Sequence, residues 1–451
     1  NTNNKKIKNH TNGNDRKRVK MKINKKYLNL IIELIVLISI PVYCATANKK
    51  VTQNEDSAGY FKDSEDLTKI TDAVNLIQNL FVGKSDPTKK ELYQAAIAGM
   101  VNSLNDPYSE YFSKEDFESF SEDMDGNYVG VGMSIDKKKG EPLVVVSPFI
   151  GSPASKAGMK IGDKVIKVDN KDIIALTSTD AVKLLKGEKG TKVVLDVIRE
   201  GTKGTFKVEI IRDEIKLEFV ESKMLDNKVG YVSLLRFGNN TGQEIEAHIK
   251  KLQAQGMKSL IFDLRSNPGG SLGEAQDISS LFIKQKLVVL LKYKDGSKKE
   301  YNRTFQNLGD FPLVVLVNGG SASASEIVTG ALKDYKRALI IGEKTFGKGI
   351  VQQIIPIGDG EAIKLTIAQY FTPKGNYIHE KGIEPDIKVE MNEILAIKGY
   401  ANDSEEAKAN RMKELEAVIV KEKGQEEATK IISAGDTQLK RAIEEITKMM
   451  K

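Results

Sequence analysis

The sequence predicts a multidomain α/β protein: an α/β core, a β-rich module inserted ahead of it, and helical regions at both ends. Three observations support this. The chain has 451 residues, more than one ordinary hydrophobic core can serve. Across residues 213–390, apolar β-branched runs alternate with segments of helical period, as in GYVSLLRF, TGQEIEAHIKKLQAQ, SLIFDLR, SLGEAQDISSLFI, PLVVLVN and SASEIVTGALKD. Continuous runs such as LVVLV belong to strands covered on both faces. Residues 126–212 instead carry short strands separated by glycine turns.

The N-terminal end is organised by charge. The formal net charge is +7, yet Lys5, Lys6, Lys8, Arg16, Lys17, Arg18, Lys20, Lys22, Lys25 and Lys26 all fall in the head, residues 1–26, with only Asp15 against them. The remainder is near neutral, which excludes a nucleic-acid partner on charge grounds. Residues 27–47, YLNLIIELIVLISIPVYCATA, follow the order of a secretory signal: a basic flank, an apolar stretch and small residues including Ala45 and Ala47. Glu33 within it would cost about 2.5–3.5 kcal/mol at a membrane centre, so a cleaved signal and a retained anchor both stay open. Either form predicts N-terminal membrane contact. Either also places the rest of the chain outside the cytoplasm, anchored to the cell envelope or secreted. Cys44, the only cysteine, excludes an intrachain disulfide and a cysteine-based metal site.

Residues 48–66 are polar and predict a tether. Residues 67–118 form a helical region in which Leu92, Ala96, Met100 and Leu104 share a face, broken by an Asp-Pro turn in DPYSEYF. The tail, residues 391–451, is helical and charge-rich and holds no candidate catalytic group. It is a surface for packing on the N-terminal helices or, in a homodimer, on a second copy.

The module at 126–212 runs NYVGVGMSI, LVVVSPF, SPASKAGMKIGDKVIKV, a short helix TDAVKLLKG, then TKVVLDVIR and TFKVEIIR. Ala157-Gly158-Met159, followed by Gly162-Asp163 and the strand VIKV, resembles a PDZ domain. The resemblance implies that Gly130, Val131 and Gly132 form a loop whose backbone N–H groups take a peptide's C-terminal carboxylate. The plainer alternative is an ordinary hairpin with glycine turns.

GEKTFGKGIVQQ, Gly342 to Gln353, has the spacing of a phosphate-binding loop at Gly342, Gly347 and Lys348. Gly349 stands where a metal-binding hydroxyl is needed, and a β-branched strand follows where a helix is needed, so a nucleotide site is disfavoured. A lysine entering a buried strand can instead be desolvated into a neutral base. A base needs a nucleophile, and PLVVLVNGGSASASEIVTGAL offers Ser321, Ser323 and Ser325 at a strand-to-helix junction. Spacing cannot choose among them, because any can cap the helix. His10, His248 and His379 form no Ser-His-Asp set: His248 reads as solvated and His379 as organising a loop.

DLRSNPGG, GSASASEIVTGAL, TFGKGIVQQ and TPKGNYIHEKGIEPD together, in this order, resemble the C-terminal processing peptidases, also called tail-specific proteases. The resemblance spans roughly residues 75–389. It implies Ser323 as nucleophile, Lys348 as base and Gln352 holding the lysine. An N–H of Gly269 or Gly270, with that of Ala324, would form the oxyanion hole. It further implies an exported serine endopeptidase that binds protein or peptide substrates by their C-termini, works through an acyl-enzyme and needs no metal or cofactor. A catalytically silent PDZ scaffold on a protease-like core is the alternative.

Overall fold

The computed structural model describes residues 57–137, 140–149, 151–391 and 424–451, with short pieces between 406 and 420. The basic head, the signal-like segment 27–47 and the start of the tether lie outside the described residues. Among the described residues no helix is long and apolar enough to cross a membrane. Two compact units divide between Tyr93 and Gln94.

In the first unit, helix α1 (Ser57–Leu80) begins inside the expected tether, so residues 57–66 are helical rather than extended. Lys69 pairs one turn back with Asp66 at 2.8 Å and Glu65 at 3.8 Å, which supports a polar helix without a wide apolar stripe. Helix α2 (Lys89–Asn102) starts in this unit and continues into the second.

Beyond the Asp106 turn the expected helical region contains a strand, β1 (Glu110–Phe112). Its pairing partner lies some 250 residues onward, where local periodicity cannot reveal it. Helix α3 (Lys114–Asp125) follows, capped by Ser113 and ended by Gly126 at φ 65°.

The PDZ module comprises β2 (Asn127–Gly130), β3 (Met133–Asp136), β4 (Leu143–Pro148), α4 (Pro153–Lys156), β5 (Lys164–Val168), β6 (Lys171–Asp172), α5 (Ser178–Leu185), β7 (Lys192–Ile198), β8 (Thr205–Ile211) and β9 (Asp213–Lys216). Five strands pair in the order β3-β4-β5-β7-β8, with β6 added to β5, while β2 and β9 pair separately as a stalk. Alternation along β7 buries Val193, Leu195 and Val197 in a core that is the module's own. Lys186, just after α5, pairs with Glu122 of α3 at 2.6 Å.

The peptidase core contains β10 (Val220–Met224), β11 (Val229–Leu234), α6 (Thr241–Ala254), β12 (Ser259–Asp263), α7 (Leu272–Phe282), β13 (Leu287–Tyr293), β14 (Lys298–Asn302), β15 (Leu313–Val317), α8 (Ala324–Asp334), β16 (Leu339–Gly342), β17 (Ile350–Gly358), β18 (Glu361–Phe371) and β19 (Ile387–Lys388). These strands divide between two sheets. One runs β10-β11-β12-β15-β16-β19, parallel except at β10–β11. The other is antiparallel, with β18 pairing β17 on one side and β1 and β13 on the other.

The parallel sheet needs cover on both faces. Ile245 and Ile249 of α6, Ile278 and Leu281 of α7, and Val328 and Leu332 of α8 pack with Val232, Leu260, Phe262 and Val315 on one side. On the other, Ala442 and Ile446 of the last helix, α10 (Thr437–Met449), lie against Tyr231, Ile261, Val314, Leu316 and Ile341. The end of the tail is therefore a layer of the peptidase core, not an appendage on the N-terminal helices. The apolar second face of LVVLV demands it. Helix α9 (Gln425–Ala434) precedes α10 along the chain.

Candidate active site

A cleft of about 850 Å³ opens between α3, the Pro268–Leu272 loop, the start of α8 and strand β17. Ser323, Ala324, Gly269, Gly270, Lys348 and Gln352 all line it.

The three candidate serines differ in what surrounds them. Ser321 is fully buried, donates to the Leu264 carbonyl at 2.8 Å and accepts from the Asn318 N–H. Ser325 is also fully buried and donates to the Asn267 carbonyl at 2.9 Å. Both are structural bonds that knit the helix start to the loop after β12. Ser323 alone of the three faces the cleft, and its backbone takes φ 53°, ψ −112°, a strained conformation for a residue with a Cβ. Strain at a strand-to-helix turn is what presents a nucleophile above a sheet.

Glu326, one turn into α8, explains how that strain is held. Its fully buried carboxylate accepts from the N–H groups of Ser323 at 2.9 Å, Gly347 at 2.7 Å and Lys348 at 2.8 Å, and from the Thr345 hydroxyl at 2.6 Å. One side chain thus ties the serine turn to the lysine loop. Burial raises its pKa, against the four hydrogen bonds that favour the ionised form. The role of Glu326 was missed in the sequence, although Ser-x-x-Glu at the start of an apolar run is the capping-box signature.

The Pro268–Leu272 loop approaches Ser323 closely enough to exclude a side chain. A Cβ at Gly269 would lie 2.9 Å from the Ser323 Cβ and 2.9 Å from the Ala324 nitrogen. The Gly269 N–H, however, donates to Asn267 Oδ1 at 2.9 Å. Of the two glycines expected to offer an oxyanion donor, Gly269 therefore spends its N–H within the turn.

At the root of the loop, Arg265 is nearly fully buried between two carboxylates, Asp263 at 2.7 Å and Asp436 at 2.7 Å. Asp436 also caps α10, accepting from the Leu439 N–H. The last helix of the chain thereby holds the loop next to the serine, a link between residues too distant for sequence patterning to connect.

Lys348 is half-buried. Burial, and then the neighbouring Lys364 cation, lower its pKa, while Asp106 and Glu326 pull it up. Its Nζ sits 4.5 Å from the centroid of the Tyr108 ring. No hydrogen bond joins it to Ser323 among the described residues. Gln352 donates through Nε2 to the Thr366 hydroxyl at 3.1 Å, leaving its amide oxygen as the acceptor end.

His379 lies behind the lysine loop and accepts from the Gly349 N–H at 3.3 Å, a loop-holding contact. His248 departs from expectation: it is half-buried, with Nδ1 2.6 Å from the Ser222 hydroxyl, and burial lowers its pKa. Its helix face covers β10 rather than meeting solvent. In the PDZ module, Gly130 ends β2, and Gly132 takes φ 74° with Ser152 against it. The carbonyls of Val131 and Gly132 accept from Ala154 and Phe149, which fixes the loop's shape.

The fold and cleft are those of a serine-type peptidase carrying a PDZ domain. Residues 228–389 match peptidase family S41, residues 144–199 match the PDZ domain, and residues 40–116 match the activating protease CtpB N-terminal domain. The chain is 39% identical over 368 residues to the carboxy-terminal processing protease CtpA of Bacillus subtilis (strain 168), covering 81% of this chain and 77% of that protein. It is 36% identical over 417 residues to a probable CtpA-like serine protease of Staphylococcus haemolyticus (strain JCSC1435), covering 91% and 82%. Among solved structures it resembles a photosystem II D1 C-terminal processing protease, with 28% identity, a TM-score of 0.44 and coverage of 71% and 92%. The chain belongs to peptidase family S41, among the carboxy-terminal processing proteases.

Proposed function

We propose that this peptidase is an exported endopeptidase that captures protein C-termini on its PDZ domain and cleaves them with a Ser323–Lys348 dyad. The observation that carries the dyad is the division among the serines: Ser321 and Ser325 are buried and bonded, while Ser323 shares the cleft with Lys348. Ser323 Oγ attacks the scissile carbonyl and Lys348 Nζ takes its proton, which requires a neutral amine. The N–H groups of Gly270 and Ala324 stabilise the oxyanion that forms. Lys348 then returns the proton to the leaving amine as the carbon–nitrogen bond breaks, giving an acyl-enzyme on Ser323 that water hydrolyses. Gln352 orients the amine through its amide oxygen without adding a charge that would keep it protonated. Gly130, Val131 and Gly132 receive the substrate's terminal carboxylate.

Export rests on the signal-like order of residues 27–47, and cell fractionation tests it: accumulation in the cytoplasm would contradict it. The dyad is tested by trapping the acyl-enzyme with a slowly deacylating peptide ester and locating the adduct by mass spectrometry. The adduct is expected on Ser323, absent in Ser323→Ala and retained in Ser321→Ala where that variant folds. An adduct on another residue would overturn the assignment.

A further inference from the structure

Nothing in the assigned chemistry uses DPYSEYF, yet this segment runs beneath the base. Tyr108 lies under Lys348, whose Nζ is 4.5 Å from the ring centroid. Four residues on, Phe112 is buried under Lys364, with Nζ 5.1 Å from its ring centroid, and Glu110 between them pairs with Lys364 at 2.8 Å. β1 also pairs in register with β18, Glu110 opposite Lys364. The turn ahead of the strand is knotted to the same sheet. Asp106 accepts from the Ser109 hydroxyl at 2.6 Å and the Tyr108 N–H at 3.1 Å, and Ser109 Oγ accepts from the Thr366 N–H at 3.1 Å. Thr366 is the residue that anchors Gln352. Lys364 and Thr366 are two apart on β18 and so share a face, and Lys364 lines the catalytic cleft with Lys348.

We propose, building on the Ser323–Lys348 assignment, that Asp106–Phe112 is a positioning element for the base and that Lys364 is its working part: a second cation held beside Lys348. Two like charges in one cleft disfavour each other, and the one that burial already destabilises gives up its proton first. Lys348 is that one. Lys364 pairs with Glu110 at 2.8 Å and lies over the Phe112 ring face. Of the other groups facing Lys348, the carboxylates Asp106 and Glu326 work in the opposite direction, and the Tyr108 ring favours the ammonium form. Lys364 is thus the opposing cation in a set otherwise favouring the ammonium. Asp106 and Glu326 are both spent on hydrogen bonds that hold the loops.

The test is the pH profile of single-turnover cleavage for the full chain, Lys364→Met, Lys364→Arg and the double variant Glu110→Gln/Lys364→Met, each checked for folding by thermal melting. Lys364→Met is expected to move the rise in activity to higher pH, with a rate roughly threefold to tenfold lower at neutral pH and recovery of the plateau at alkaline pH. Lys364→Arg, which keeps the charge, is expected to restore the original profile. The double variant removes the carboxylate left bare and should still show the displaced rise. A loss of rate equal at every pH, or an unmoved profile in Lys364→Met, would overturn the proposal. Failure of the dyad itself has a different signature, persistence of cleavage in Ser323→Ala.

Discussion

The two halves of the cleft are built on different plans. Around Ser323 the structure is closed: Ser321, Ser325, Asn267, Glu326 and Arg265 are all buried, and each side chain bonds to a neighbouring strand end, loop or helix start. Around Lys348 it is open. β17 leaves its residues partly or fully exposed, and the half-buried lysine rests on an aromatic face. The difference fits the chemistry proposed for each half. A nucleophile and oxyanion donors work by fixed position, which rigid burial supplies. A base must exchange a proton with two partners in turn, which needs an adjustable amine whose charge is tuned by neighbours.

Breaking the closed half should have the largest consequences. Removing residues 425–451 would bare Tyr231, Ile261, Val314, Leu316 and Ile341 and leave Arg265 with one carboxylate, so loss of the folded protein is expected despite the absence of any catalytic group in the tail. The milder Asp436→Ala should lower stability by about 1–3 kcal/mol, the partial exposure of Asp436 moderating the loss, and thermal melting would show it. Glu326→Ala strands four donors; each buried unpaired group costs about 1–3 kcal/mol, so a stability loss of at least ~3 kcal/mol in urea titration is expected. Single-turnover cleavage by the surviving fold should fall by at least ~100-fold as the serine turn relaxes. Retention of wild-type rate in that variant would show the two halves to be independent.

A change remote from both halves should act on capture alone. Amidating the substrate's C-terminus removes the charge meant for Gly130, Val131 and Gly132, and should weaken binding by about 1–3 kcal/mol while leaving the rate at saturation unchanged. Equal cleavage of free and amidated substrates at limiting concentration would contradict the PDZ assignment.

The same contrast governs what the sequence could reveal. The central α/β elements showed in periodicity because the parallel sheet is apolar on both faces, whereas its edge strands β10 and β19 carry no such run and did not. The segment proposed to carry the nucleophile showed because strand, turn and helix are contiguous in PLVVLVNGGSASASEIVTGAL. The base half draws on residues 106–112, 348–352 and 364–366, which meet only through pairing of β1 and β17 with β18, and no local pattern records such pairing. For the same reason β1 was hidden within an expected helical region. The bond from Asp436 to Arg265 spans 171 residues and was equally silent. Glu326 was legible as a capping residue but not as the link to Lys348.

The central claim is that Lys348 serves as a neutral base for Ser323, and single-turnover cleavage across pH tests it most directly. Burial and Lys364 lower its pKa, so the protonated, inactive form dominates at low pH and activity should rise as pH increases, with a midpoint below that of ordinary lysine. Lys348→Arg should be nearly as inactive as Lys348→Ala at every pH, because guanidinium does not deprotonate in this range. Lys344→Ala should match the unmodified enzyme, since Lys344 is exposed and only pairs with Glu384 at 3.4 Å. Substantial activity in folded Lys348→Arg, or a dead but folded Lys344→Ala, would contradict the account.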